Sequence, residues 1–348
     1  MTQYISDKLR VLSLFSILLV LYIHSGFHPD EIEGMVLNQK VQGLISGMMG
    51  RCAVPLFYII SGYLFYLKVP NGMQSIYEKM KKRVRTLLIP YIIGCLFFVG
   101  FGVMVALLPG TSRFMNSSVL PLFQKPATEI LCSIFYDAGN GSPCAFQLWF
   151  LRDLILIVAT SPIWYLCLKY MKWGFVAVVF VLTYLQIPHI TFYALFWFVF
   201  GGQISKSKIV SGGVSCRATV CVAFLVLSLA QLFEPDAVCW KYIKIPIILS
   251  GIFCAWSLYD MIVCKDFILT SRRWLSTACH FTFFIYLFHE PTLNIVRKLI
   301  VAVLGKNEFG YLVSYLVSPW LFIVCAVFVG LAFRKCLPKV YGVCCGGR

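Results

Sequence analysis

Apolar residues run along this chain in long blocks and do not alternate with polar ones. LSLFSILLVLYI, LFYIISGYLFYL and LFIVCAVFVGLAF are three of them. Blocks of roughly 17 to 25 apolar residues are long enough to cross about 30 Å of hydrocarbon as helices. The pattern predicts ten helices, over 9–27, 52–68, 86–108, 148–168, 173–188, 190–205, 214–233, 245–263, 274–296 and 309–333. The pair around Pro188 can also be read as one interrupted unit. No polar stretch is long enough to enclose a second core, so the expected architecture is all-α, a single polytopic membrane domain over 1–348. The segment after the first block, HSGFHPDEIEG, offers no small-x-small cleavage site, and the block is expected to stay as an anchor.

Composition strengthens this picture. Hydrophobic residues make up 60% of the chain and charged ones 13%, against about 25% charged in soluble domains. Mean hydropathy is +0.83. The net charge of +16 follows topology. With the N-terminus inside, the inner segments hold Lys8, Arg10, Lys68, Lys79, Lys81, Lys82, Arg83, Arg85, Lys169, Lys172, Lys206, Lys208, Arg217, Lys265, Arg272, Arg273, Arg334, Lys335, Lys339 and Arg348. Acidic residues such as Asp30, Glu31, Glu33, Glu234 and Asp236 favour the outer loops. The positive-inside rule then places both termini in the cytoplasm of a multi-pass protein of the inner membrane, in contact with anionic lipid. No aromatics interleave the basic segments, which argues against nucleic acid as a partner.

The fifteen cysteines do not form a disulfide framework. Most sit singly in apolar blocks as small hydrophobes. Cys132 and Cys144 share the longest outer loop and are candidates to pair. Cys344 and Cys345 lack a CxxC partner, so no metal site is expected.

Chemistry concentrates in the few polar residues of the apolar blocks. An imidazole within a span loses the solvation of water, and such groups mark pathways or reaction sites. His24 is one, near the outer end of the first helix. Arg10 precedes it by fourteen residues on a similar face, about 21 Å lower along the axis. Tracing the other helices puts Arg51, Trp149, Arg152, Asp153, His289 and Glu290 at His24's depth, and Ser61-Gly62 near mid-membrane. This points to a hydrated cavity opening outward. Plainer readings stand beside it: a packing histidine at His24, close helix packing at Ser61-Gly62, a self-neutralising Arg152–Asp153 pair, an interfacial anchor at Trp149. A structural end to its helix is the plainer reading of His289. His28 and His189 read as solvated, and His280 as an interhelical histidine. On the inner side KMKKRVRTLLIPYI suits the phosphates of a nucleotide-bearing donor, or else simply holds its loop inside.

In order along the chain, DKLRVLSLFSILLVLYIHS, VPLFYIISGYLF, KRVRTLLIPYI, LWFLRDLI and FIYLFHEPTL resemble the acyltransferase family 3 membrane enzymes, which O-acylate surface polysaccharides and related glycans. The resemblance runs from about residue 7 to 295. It implies a ten-helix bundle that takes an acyl group, usually acetyl, from cytoplasmic acyl-CoA (acetyl-CoA) to a hydroxyl of a lipid-linked or exported sugar. No bound cofactor is implied. His24 matches the family's essential histidine. The family's arginine, eleven residues earlier, would fall at Ser13, and Arg10 lies one turn further away. The family's Arg-x-x-Arg before the third helix is filled by Lys82 and Arg85, which with Arg83 make the expected phosphate site. A sugar hydroxyl needs a base during attack on a thioester, and histidine suits that work, either as base or as a transient acyl carrier. Arg51, Arg152 or a backbone N–H near Ser61 are candidate oxyanion donors, and Asp153 or Glu290 candidate partners of an imidazole. A transporter or flippase for a polysaccharide precursor is the competing class, but the paired broken helices typical of transporters are not evident in the sequence.

Overall fold

The computed structural model describes residues 2–69, 72–108, 119–185, 192–207, 214–233, 239–263 and 269–347. Among them every regular element is helical. In chain order the α-helices are α1 (Gln3–Ser25), α2 (Val36–Gln42), α3 (Ala53–Tyr66), α4 (Met73–Leu107), α5 (Ala127–Phe135), α6 (Trp149–Ala159), α7 (Ser161–Tyr170) and α8 (Trp173–Leu182). They continue with α9 (Phe192–Lys206), α10 (Val214–Phe233), α11 (Cys239–Ile262), α12 (Arg273–Phe288), α13 (Thr292–Leu304), α14 (Glu308–Cys336) and α15 (Pro338–Cys344). Among the described residues five helical stretches are long and apolar enough to cross a membrane: Gln3–Ser25, Val36–Tyr66, Met73–Leu107, Tyr242–Ile262 and Glu308–Cys336. A sixth arises if α6 and α7, bent by 65° at their junction, form one span.

The differences from the hydropathy reading have local causes. The block over 52–68 is the second half of a longer helical stretch, Val36–Tyr66, which passes through a π turn at Gly43–Met49 and a 3-10 turn at Gly50–Cys52. VLNQKVQ is too polar to register as a span, yet it contains neither proline nor glycine, and the first break falls at Gly43. The 86–108 block likewise extends back to Met73, because basic and polar residues between Gly72 and Arg85 are good helix formers. The 148–168 block breaks at Thr160, just before Pro162 opens α7. The 274–296 block ends at Phe288, and α13 begins after the cis Glu290–Pro291 bond. Pro188 and His189 lie outside the described residues, as do Lys208, Glu234, Asp236, Lys265 and Arg348.

Exposed apolar surface shows how these helices meet lipid. On α4, Leu87, Tyr91, Cys95 and Phe98 are buried at helical spacing, while Leu88, Ile92 and Leu96 stand exposed on another face. A water-soluble protein rarely presents such a stripe, whereas hydrocarbon solvates it without cost.

The chain divides into two compact units. The first comprises Met1–Phe57, Ile209–Ile285 and Val296–Val327; the second comprises Tyr58–Lys208, Tyr286–Ile295 and Phe328–Arg348. In the first, Tyr22, Phe27, Ile32, Val301, Tyr311 and Tyr315 form one buried cluster. In the second, α3 and α9 approach backbone to backbone. A Cβ on Gly62 would overlap the Phe198 carbonyl, and one on Gly201 would overlap that of Ile59. Small residues drive helix association in membranes by permitting this approach, so Gly62 has the packing role foreseen for it. Gly62→Ala is expected to cost about 1–3 kcal/mol through overpacking. A lowered thermal midpoint in detergent would register that cost, and an unchanged midpoint would contradict the close crossing.

Candidate active site

α1 runs unbroken from Gln3 to Ser25, so Arg10 and His24 share one continuous helix with about 21 Å of axial rise between them. Arg10 is exposed and His24 half-buried in the last turn. The chain immediately after His24 is held from several sides. Gly26 caps the helix, donating its N–H to the Ile23 carbonyl at 3.4 Å. The Phe27 N–H donates to Gln42 Oε1 at 2.9 Å, and Ser318 Oγ donates to Ser25 Oγ at 3.2 Å. Arg297, from α13, donates Nη1 to the Gly26 carbonyl and, at 3.5 Å, to that of Ser25. Its guanidinium carbon lies 4.5 Å from the centre of the Phe27 ring. Sequence reasoning missed Arg297 because α13 falls where the hydropathy pattern ends and a loop was expected.

The beginning of α1 carries a second buried polar cluster. Lys8 is 1% exposed; its Nζ donates to Asp260 Oδ1 at 2.6 Å and sits 3.6 Å from the centre of a Trp256 ring. Tyr4 donates to the same oxygen at 2.6 Å, and Arg217 reaches Asp260 Oδ2 at 3.7 Å. Asp7, fully buried, accepts from Gln3 Nε2 at 2.8 Å and from the Leu269 N–H at 3.2 Å. Lys8 and Arg217 are therefore more than topological charges, since both pair with an acid inside the helical unit. The clue was available: an aspartate in an apolar helix requires a cation. Arg51 is exposed on the 3-10 turn Gly50–Cys52 and belongs, like His24 and Arg10, to the first unit.

The other outer-side candidates belong to the second unit. Ser61 is half-buried on α3, and Trp149 is half-buried in the first turn of α6. Arg152 and Asp153 do pair: Nε donates at 2.9 Å and Nη2 lies at 2.8 Å from the same carboxylate oxygen. Arg152 also donates Nη1 to the carbonyls of Tyr136 at 2.6 Å and Gly141 at 3.0 Å, so it anchors the loop ahead of α6. His289 is fully buried, with Nδ1 2.6 Å from the Tyr286 carbonyl; because a carbonyl only accepts, that nitrogen carries the proton. Glu290 is buried, and its carbonyl accepts from Gln147 Nε2 at 3.4 Å, while Tyr286 donates to the Gln147 carbonyl at 3.1 Å. The HEP turn is thereby tied to the residues that lead into Trp149 and Arg152.

The Arg152-anchored loop is organised by a half-buried acid. Asp137 Oδ1 accepts from the Gly139 N–H at 2.8 Å and the Gly141 N–H at 2.9 Å. Both glycines have positive φ, 103° and 79°, a conformation costly for other residues. These backbone bonds, Gly139 first, hold the Asp137 carboxyl below its usual range. A carboxylate whose folded pKa lies below its unfolded one stabilises above the unfolded value, and that stabilisation fades as pH falls through the folded value. Acidification below the ordinary carboxylate range is expected to release this loop. At neutral pH Asp137→Ala is expected to speed amide exchange at Gly139 and Gly141 several-fold; exchange unchanged from wild type would contradict it.

The basic residues of α4 divide by face. Lys81, Lys82 and Arg85 are exposed and Arg83 is half-buried. Lys79 turns aside to donate to the carbonyls of Phe65 and Leu67, capping the end of α3. α15 packs on α4, and a Cβ on Gly346 would overlap the Thr86 carbonyl.

The acyltransferase domain model of acyltransferase family 3 matches residues 7–333. The chain belongs to this family. A relative is the succinoglycan biosynthesis protein ExoH of Rhizobium meliloti (strain 1021), 22% identical over 370 aligned positions that cover 100% of this chain and 94% of the relative. No solved structure matches. As a family member the chain is a multi-pass membrane protein of acyltransferase type, and each candidate residue named above falls within the matched span. Cys132 is exposed and Cys144 half-buried, and both are free thiols. Among the described residues no group of histidine, cysteine and acidic side chains is arranged to hold a metal.

Proposed function

We propose that this protein is a membrane O-acyltransferase that moves an acyl group, acetyl in the first instance, from cytoplasmic acyl-CoA to a hydroxyl of a cell-surface or exported glycan. The observation that carries this reading is a family histidine, His24, in the last turn of an unbroken apolar helix, within a chain matched to the acyltransferase family over residues 7–333. The succinoglycan-biosynthesis relative supports a glycan acceptor. In the reaction, a sugar oxygen attacks the thioester carbonyl carbon while the His24 imidazole takes the hydroxyl proton. The C–S bond then breaks and the CoA thiolate leaves, to be protonated from solvent. In the variant with an acyl carrier, the imidazole nitrogen takes the acyl group from sulfur first and passes it to the sugar oxygen. Lys82, Arg83 and Arg85 hold the CoA phosphates, the exposed pair acting as point and fork charges. Arg10 assists His24 from the inner end of the helix. Arg51, Ser61, Trp149, Arg152, Asp153, His289 and Glu290 keep the supporting role that the sequence assigns them. The same proposal includes ten spans, both termini in the cytoplasm, and residence in the inner membrane.

The test is transfer in a defined system. Purified protein in lipid nanodiscs with labelled acetyl-CoA and candidate glycans is expected to place label on the glycan. Movement of the glycan across a proteoliposome with no acyl transfer would replace this reading with a transporter.

A further inference from the structure

We propose that Arg297 is a positioning residue for His24, an inference that rests on the reading of His24 as the acid/base or carrier group. The last carbonyls of any helix lack intrahelical donors, and cations are favoured at that end of the helix dipole. At the end of α1 a guanidinium meets both requirements. Arg297 is only 5% exposed, and Nη1 bonds the carbonyls of Ser25 and Gly26, the two residues that follow His24. The planar group also lies over the Phe27 ring, which makes an edge contact with Tyr311 at 4.6 Å between centres. Arg297 is itself fixed from behind, because its carbonyl accepts from Ser314 Oγ, fully buried on α14, at 2.9 Å. A further bond from α14, Ser318 to Ser25, ends on the same short stretch.

A buried guanidinium is a costly way to end a helix that glycine alone could end. Its place beside His24 fits a demand for orientation, since a misplacement of about 1 Å in a reacting group can cost about 100-fold in rate. Fork geometry and a flat face let arginine bond carbonyls and cover a ring at once, which an ammonium group does less well. In this scheme Arg297 acts by fixing the last turn of α1.

The experiment pairs two measurements on Arg297→Gln and Arg297→Lys. The first is the rate at which diethyl pyrocarbonate modifies His24 in the folded protein, read by mass spectrometry with exposed His28 as internal control. The second is acetyl transfer. Arg297→Gln is expected to raise the His24 modification rate several-fold with His28 unchanged, and to lower kcat about tenfold or more with donor KM within about twofold. Arg297→Lys is expected to fall between Gln and wild type in both. His24 reactivity and kcat both at wild-type levels in a folded Arg297→Gln protein would overturn the proposal. So would failure of both variants to fold, which would make Arg297 a stability element only. Altered His24 reactivity with kcat unchanged would leave Arg297 as the residue that orients His24 and would instead remove His24 from the reaction.

Discussion

His24→Ala is expected to lower acyl transfer at least about 100-fold, with the protein folded and donor affinity little changed. General-base removal costs about 10²–10⁴-fold, and loss of a covalent carrier costs more. Because the histidine is only half-buried in the final turn of α1, its truncation removes little packing. The split between kcat and donor KM is therefore informative. A fall in kcat alone points to chemistry, while a rise in KM alone points to binding. Quenching the reaction with acetyl-CoA present but no acceptor separates the two roles of the imidazole. A peptide containing His24 and one added acetyl group indicates the carrier. Transfer at the wild-type rate by a folded His24→Ala protein would sink both.

The second large effect concerns stability. Asp260→Ala is expected to destabilise the protein by about 3–5 kcal/mol, the usual consequence of leaving a buried charge without its partner. Lys8 is 1% exposed and Asp260 12%, and the pair is 2.6 Å apart. Without the carboxylate, Lys8 faces Trp256 and the neighbouring Arg217 with no anion between them. The pair is not irreplaceable. A well-packed apolar substitute often matches a buried ion pair, so Lys8→Met with Asp260→Leu is expected to recover most of the loss. Denaturant unfolding in detergent measures both. A loss below about 1 kcal/mol in Asp260→Ala would show that water reaches this pair freely.

Much of this was legible beforehand, for reasons that differ by residue. α10 and α14 stand where the apolar blocks predict them, since hydrocarbon selects length and hydropathy directly. The Arg152–Asp153 pair was legible because neighbouring charges of opposite sign seldom enter a membrane separately. α13 was not, being short and carrying Arg297 and Lys298. Nor was the helical stretch from Val36 ahead of α3, because local polarity hid it and its π and 3-10 turns leave no hydropathy signal.

The order of the apolar blocks, the histidine inside the first of them and the five family strings lie in the sequence itself. They follow from hydrophobicity and residue type, which need no partner to be read. Which charges distant in the chain neutralise one another does not. Lys8 finds Asp260 across 252 positions, and Arg297 reaches back to the turn after His24 across 271. Such pairings depend on which helix faces are brought together, and periodicity within a single helix carries no record of the face opposite. Tertiary structure alone therefore decided that Lys8 is a buried partner of Asp260 and that Arg297 caps the helix bearing His24.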